Sequence, residues 1–205
     1  MPLCDPNKDF FGITVQKCLY GKKQVEYLIE YAIQFWNAYI QNRKFLSIVS
    51  NEAHEQTLEV LKYMDDSIYN FFNYLYNNNL LKDTTILFLS DHGVVIPSIY
   101  YLFNFYRLES NLPMLFILIN DHKNKTFEEQ YKYIHENQQS FITAYDIYNT
   151  MSHIIFGNKY ITLKNKTWNN DSPKSPYGES LFLKMDQKER KSKNFNKNMS
   201  QNICI

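Results

Sequence analysis

Thr84-Thr85-Ile86-Leu87-Phe88-Leu89-Ser90-Asp91-His92-Gly93 is the stretch on which the fold of this chain turns. Its first six residues are apolar or β-branched and of strand length, so they predict a buried β-strand. The run then stops on a carboxylate, an imidazole and a glycine. Successive side chains of a strand point to opposite faces, so Asp91 and His92 reach one cation only where the backbone bends, and Gly93 permits the bend. A carboxylate oxygen beside an imidazole nitrogen suits Zn²⁺, Mn²⁺ or Fe²⁺ better than Ca²⁺. Two plainer roles compete, an Asp that caps a loop at a strand end and a His that simply sits in one, and from these residues alone they are the commoner.

Outward from this run, Phe45-Leu46-Ser47-Ile48-Val49 predicts an earlier strand, ending at Ser50-Asn51-Glu52-Ala53-His54. Pro113 to Ile119 predicts a later one. Between and around them lie helical spacings. From Lys22 to Tyr39 the stripe is Val25, Leu28, Ile29, Ala32, Ile33, Phe35, Trp36 and Tyr39. A second runs through Leu58, Leu61, Met64, Ile68, Phe71, Phe72 and Leu75 and is stopped by Asn77-Asn78-Asn79. Further helical patterns occupy Phe127–Gln139 and Asp146–Phe156. This alternation predicts an α/β fold with a mainly parallel sheet flanked by helices. Phe45–Val49 and Thr85–Leu89 are then neighbours or near neighbours, joined by a crossover helix. Ligands gather at the carboxyl ends of such strands, where His54 and His92 both fall. Residues 1–20 read as an irregular N-terminal segment, 21–183 as the domain, and 184–205 as a polar Lys/Asn-rich tail expected to be disordered.

Bulk properties exclude some classes. The chain has 205 residues and a net charge of +1, with no periodic basic face, so nucleic acid is not an expected partner. No apolar run approaches the ~20 residues of a membrane span, and no signal peptide opens the chain. The 17% aromatic content and the abundant Asn match the coding bias of an AT-rich genome and carry little chemistry. Cys4, Cys18 and Cys204 lack metal-ligand spacing. A Cys4–Cys18 disulfide in an oxidising compartment and free thiols stand equally on the sequence. Asn124, Asn165, Asn170 and Asn198 open glycosylation sequons, weak signals in so Asn-rich a chain.

His54 either contacts an anionic ester and its leaving group or is a loop histidine before a helix whose start is favoured by Glu55. His122, His135 and His153 have no partners in sequence, and His153 reads as structural. Cys4-Asp5-Pro6-Asn7-Lys8 imitates the Cys-x-Pro-x-Arg signature that sulfatases modify, but it lacks the Arg and has no strand before it.

The pieces occur in a meaningful order: Cys18 with Glu26–Trp36; Arg43–Ser47 leading to His54-Glu55; Tyr63–Asp66; Asn79–Gly93; Leu108-Glu109 and Leu112–Phe116; Tyr145–Thr150; and Tyr177–Phe182. Together they make residues Lys17 to Phe182 resemble the C-terminal part of a eukaryotic family in the sulfatase/alkaline-phosphatase-like superfamily. The resemblance implies that Asp91 and His92 are paired ligands of a divalent metal, Zn, Mn or Ca. It also implies that His54 lies near the ester or leaving group, that the substrate of the full-length protein is an anionic sulfate or phosphate ester, and that the protein is extracellular or in the secretory pathway. Tyr145–Thr150 and Gly178–Phe182 match as structural pieces. The superfamily's nucleophile and first metal carboxylate belong to an N-terminal half with no counterpart here, and Val94–Ser98 lacks the His, Lys or Arg often found after this motif. The chain is thus expected to be the metal-loop half of an ester hydrolase, inactive alone. The alternative is a non-catalytic secreted or surface interaction domain that keeps the fold.

Overall fold

The computed structural model describes residues 10–11, 15–16, 18–54, 60–93, 102, 106, 110–119, 125–138, 140–163 and 177–186. They form two compact units that meet in sequence at Thr84 and Thr85.

In the first unit, β1 (Phe10–Phe11) pairs antiparallel with β2 (Val15–Gln16), and β3 (Cys18–Leu19) with β4 (Lys22–Lys23). The expected irregular stretch 1–20 therefore contains short strands. The β3–β4 hairpin turns through Tyr20 and Gly21 at φ 52 and 78. A two-residue loop with both φ positive matches the twist of its flanking strands, and Gly21 takes that conformation without steric cost. Cys18, at the head of β3, is fully buried and disulfide-bonded, so the oxidised reading holds for it. Its bridge partner lies outside the described residues.

Helix α1 (Gln24–Ala38) buries Val25 and Ala32, and α2 (Val60–Asn77) buries Val60, Met64, Ser67 and Leu75. In α1 both buried residues belong to the expected stripe, whereas in α2 Met64 and Leu75 do, Leu61 is 57% exposed, and Val60 and Ser67 are buried in addition. Three contacts set the helices' direction. Lys23 Nζ donates to the Tyr63 carbonyl at 2.7 Å, Ser67 Oγ donates to Glu26 at 3.5 Å, and Asn37 Nδ2 donates to the Tyr74 hydroxyl at 3.1 Å. Start meets start and end meets end, so α1 and α2 run the same way. The chain between them must return the length of α1, about 22 Å at ~1.5 Å per residue. Residues 43–50, within that connection, carry neither helix nor strand.

That segment corrects an expectation. Phe45–Val49 belongs to no strand pair among the described residues. Phe45 and Val49 are 65% and 76% exposed. Its composition suits a buried strand, but a strand also needs a neighbour, and composition does not supply one.

In the second unit, β5 (Ile86–Leu89) pairs antiparallel with β6 (Leu115–Leu118), in the register Ile86↔Leu118 through Leu89↔Leu115. Every strand pair among the described residues is antiparallel, which corrects the mainly parallel expectation. An apolar run records burial and not the direction of its partner. The architecture is mixed α/β, with α3 (Lys125–Asn137), α4 (Ala144–Phe156) and α5 (Asn158–Leu163) following β6. No described helix is long and apolar enough to cross a membrane.

Helix α4 starts on a capping box. Thr143 is the N-cap, and Asp146 Oδ2 accepts from Thr143 N at 2.7 Å and from its hydroxyl at 2.9 Å. The same fully buried carboxylate accepts Glu179 N on Oδ1 at 2.7 Å. Residues 177–186 thereby lie along α4. Asn149 donates to the Gly178 carbonyl at 2.6 Å, Thr150 Oγ1 accepts Leu181 N at 2.9 Å, and Asn137 donates to the Leu181 and Leu183 carbonyls. Leu181, Phe182 and Met185 are buried with Ile147 and Tyr160. Met185 is therefore core, although the sequence reading places the polar tail from 184; residues 187–205 lie outside the described ones.

Gly178 is forced by this approach. A Cβ there would meet the backbone of Tyr145 and Asp146 at 2.5–2.7 Å. Backbone atoms of a capped helix cannot step aside cheaply, so Gly178→Ala is expected to destabilise the chain by about 1–3 kcal/mol. Chemical denaturation checks this; a change below about 0.5 kcal/mol would show that the segment does not press on α4 as described.

Candidate metal centre

The β5–β6 ladder does not end at Leu89. Ser90 N donates to the Met114 carbonyl at 3.0 Å, and Met114 N donates back to Ser90 Oγ at 3.0 Å. The serine side chain thus continues the ladder where the backbone of β5 leaves it. Three residues on, Gly93 N donates to the carbonyl of Ser110, which is 2% exposed, at 3.0 Å. Asp91 and His92 are what remains between two anchors.

Within that short span the two side chains organise each other. Asp91 Oδ1 accepts the His92 backbone N–H at 2.8 Å. His92 Nδ1 lies 2.7 Å from the Gly93 carbonyl. A carbonyl only accepts, so Nδ1 carries a proton, and in the neutral ring the lone pair is then on Nε2, the usual way a backbone carbonyl fixes a ligating tautomer. That Nε2 stands 3.6 Å from Asp91 Oδ2. Two donors at ~2.0–2.1 Å around one tetrahedral cation are about 3.3 Å apart, so the pair fits a single ion with a small adjustment. The side chains are 83% exposed for Asp91 and 43% for His92, which leaves them open to solvent.

The pair is only part of a coordination sphere. Among the described residues no group of three or more His, Cys, Asp or Glu side chains is placed to hold a metal ion. Catalytic zinc sites usually have three protein ligands. His54 belongs to the first unit, in an exposed turn after Phe45–Val49, with its N–H on the Asn51 carbonyl at 3.0 Å. Residues 55–59, with the helix start that Glu55 would favour, lie outside the described residues, as do Cys4 and His122.

Two features were not read in the sequence. Ser90 anchors the loop, although a serine before Asp-His-Gly looks incidental. Beside it is a hollow of about 150 Å³, lined by Ser90, Pro113, Met114, Phe141, Ile142 and Ile147 among others and by no charged side chain. Its walls come from segments separated by more than twenty residues, which no local pattern joins.

A second histidine invites a catalytic reading and refuses it. His153 Nδ1 lies 3.0 Å from Ser180 Oγ, and Asp146 is two helical turns earlier. All three residues are at most 3% exposed, and both Asp146 oxygens are spent on Thr143 and Glu179. No substrate reaches this serine, so His153 is structural, as its place in the helical pattern predicts.

The chain belongs to the family described as "Protein of unknown function (DUF229)", whose pattern matches residues 8–204. That family is sulfatase-like. No curated protein and no solved structure matches the chain. The family match spans His54, Asp91 and His92 together.

The anchors and the candidate ligands separate by mutation because they do different work, one holding backbone and the other facing water. Ser90→Ala removes the acceptor of Met114 N and is expected to cost about 1 kcal/mol. Asp91→Asn keeps an acceptor for His92 N at an exposed position and is expected to change stability by less than about 0.5 kcal/mol. Denaturant titration of both variants checks the contrast; equal losses would mean that Asp91 holds the fold.

Proposed function

We propose that Asp91 and His92 are metal ligands in a sulfate or phosphate ester hydrolase of the sulfatase/alkaline-phosphatase-like superfamily, and that this chain carries its metal-loop half. The observation that carries this reading is the Nδ1 contact of His92 to the Gly93 carbonyl. It turns a free Nε2 toward Asp91 Oδ2, 3.6 Å away, on a loop open to solvent. The sulfatase-like character of the family supports the same reaction class. A bound divalent cation, Zn, Mn or Ca, would offset charge on the nonbridging ester oxygens and activate the nucleophile.

In this account the protein's own residues have limited roles. Asp91 supplies negative charge and one oxygen donor. His92 supplies a neutral nitrogen whose direction is held by Gly93. His54 binds the ester or assists its leaving group, a role assigned by resemblance. The nucleophile and the remaining ligands come from residues of the full-length protein other than these three. The disulfide at Cys18 favours an extracellular or secretory setting for that protein.

The expected outcome is that the 205-residue chain alone shows no appreciable hydrolysis of chromogenic phosphate or sulfate esters with Zn²⁺, Mn²⁺ or Ca²⁺. Full-length protein is expected to hydrolyse one of them, and Asp91→Ala in it to lower kcat/KM by at least about 100-fold, since losing a group that acts only in the transition state removes most of the rate. Turnover by the isolated chain that Asp91→Ala abolishes would show that the half-domain reading is wrong. Full-length activity indifferent to Asp91→Ala would remove the metal assignment.

A further inference from the structure

A buried histidine lies away from the metal loop. His153 sits in the last turn of α4 at 3% exposure. Its ring stacks on Tyr160 of α5, with centroids 4.7 Å apart and planes at 17°, and meets the edge of Phe182 at 5.5 Å. Nδ1 is 3.0 Å from Ser180 Oγ, which also accepts Phe182 N at 3.3 Å. Nε2 is buried with no hydrogen-bond partner. The ring therefore joins α4, α5 and the segment 177–186 at one point.

We propose that His153 is an acid-sensitive latch, whose protonation releases residues 177–186 from α4. A neutral ring satisfies this box with one nitrogen on Ser180 and the other among aromatic carbons. An imidazolium has two N–H donors, and the second would be buried without an acceptor. Stacking of a cation on Tyr160 returns less than burying an unpaired charge costs. The charged and titratable groups around the box are Asp146 on α4, Tyr160 on α5 and Glu179 on the segment. Both carboxylates act on the Tyr160 phenol, which burial pushes well above its ordinary range. Asp146 is not spare for His153, since its oxygens are occupied by Thr143 and Glu179 N, and among the described residues no group stands within hydrogen-bond reach of Nε2.

Burial holds the His153 ring below its ordinary 6.5. The released state therefore binds more protons than the latched one. Stability from the neutral ring is fully present above pH ~6.5 and is lost as pH falls through the lower folded value. Release frees the buried Leu181, Phe182 and Met185 together, because the same segment carries them.

The test is amide hydrogen exchange of the full chain at pH 7.5 and 5.0, corrected for intrinsic exchange. Protection of Glu179, Leu181 and Phe182 is expected to fall at pH 5.0 by up to about thirtyfold relative to α1, the limit set by a group of ordinary value ~6.5. His153→Phe keeps the aromatic box and is expected to abolish the pH step. A step that persists in His153→Phe would assign the loss to a carboxylate and overturn the latch. Should that variant not fold, NMR titration of the wild-type His153 ring decides instead. Protonation coincident with loss of protection supports the latch, and a ring that protonates while the amides stay protected overturns it.

Discussion

The metal-loop account rests on one reciprocal exchange, Ser90 N to the Met114 carbonyl and Met114 N to Ser90 Oγ, each at 3.0 Å. A strand that ends freely leaves its last residues to fray. Here the side chain of Ser90 extends the ladder by one register position, and Gly93 is then caught on Ser110. Only two residues are left between these points, which is too few for Asp91 and His92 to diverge. Two ligand-type side chains that would alternate faces on a strand are turned to one neighbourhood by backbone bonding alone.

The second unit divides its polar groups between two kinds of work. At the loop, Asp91 and His92 are exposed and, among the described residues, bonded only to their own neighbours in sequence. Along α4, Asp146, Asn149, Thr150, His153 and Ser180 are buried and bonded across the chain to residues 178–182. Buried polar groups that are well paired fix a unique arrangement, while a solvent-facing donor pair is available to a ligand. That contrast separates the histidine that suits a metal from the histidine that holds structure, although both are imidazoles near a carboxylate and a serine.

Much of the local structure is legible because it rests on periodicity. Val25 with Ala32, and Met64 with Leu75, announce the buried stripes of α1 and α2, and Thr84 to Leu89 announces β5. What is not legible depends on partners. Phe45–Val49 has the composition of a strand and no described neighbour, and β5 lies antiparallel to β6 where the alternation of elements argued for parallel strands. The pairing of Tyr145–Thr150 with Gly178–Phe182 is also invisible locally, since it joins positions about thirty residues apart through side-chain-to-backbone bonds. Asp91 and His92 could be picked out because a strand end, two donor types and a glycine are adjacent in sequence. The anchoring role of Ser90 could not, because its partner, Met114, is twenty-four residues away.

The central claim is that Asp91 and His92 bind one cation together. Anomalous diffraction from crystals of the full-length protein grown with Zn²⁺ or Mn²⁺ tests it directly. The account predicts a single metal peak about 2.0–2.2 Å from an Asp91 carboxylate oxygen and from His92 Nε2, with Nδ1 still on the Gly93 carbonyl. A well-ordered metal held by other residues, with Asp91 and His92 left facing solvent, would contradict it.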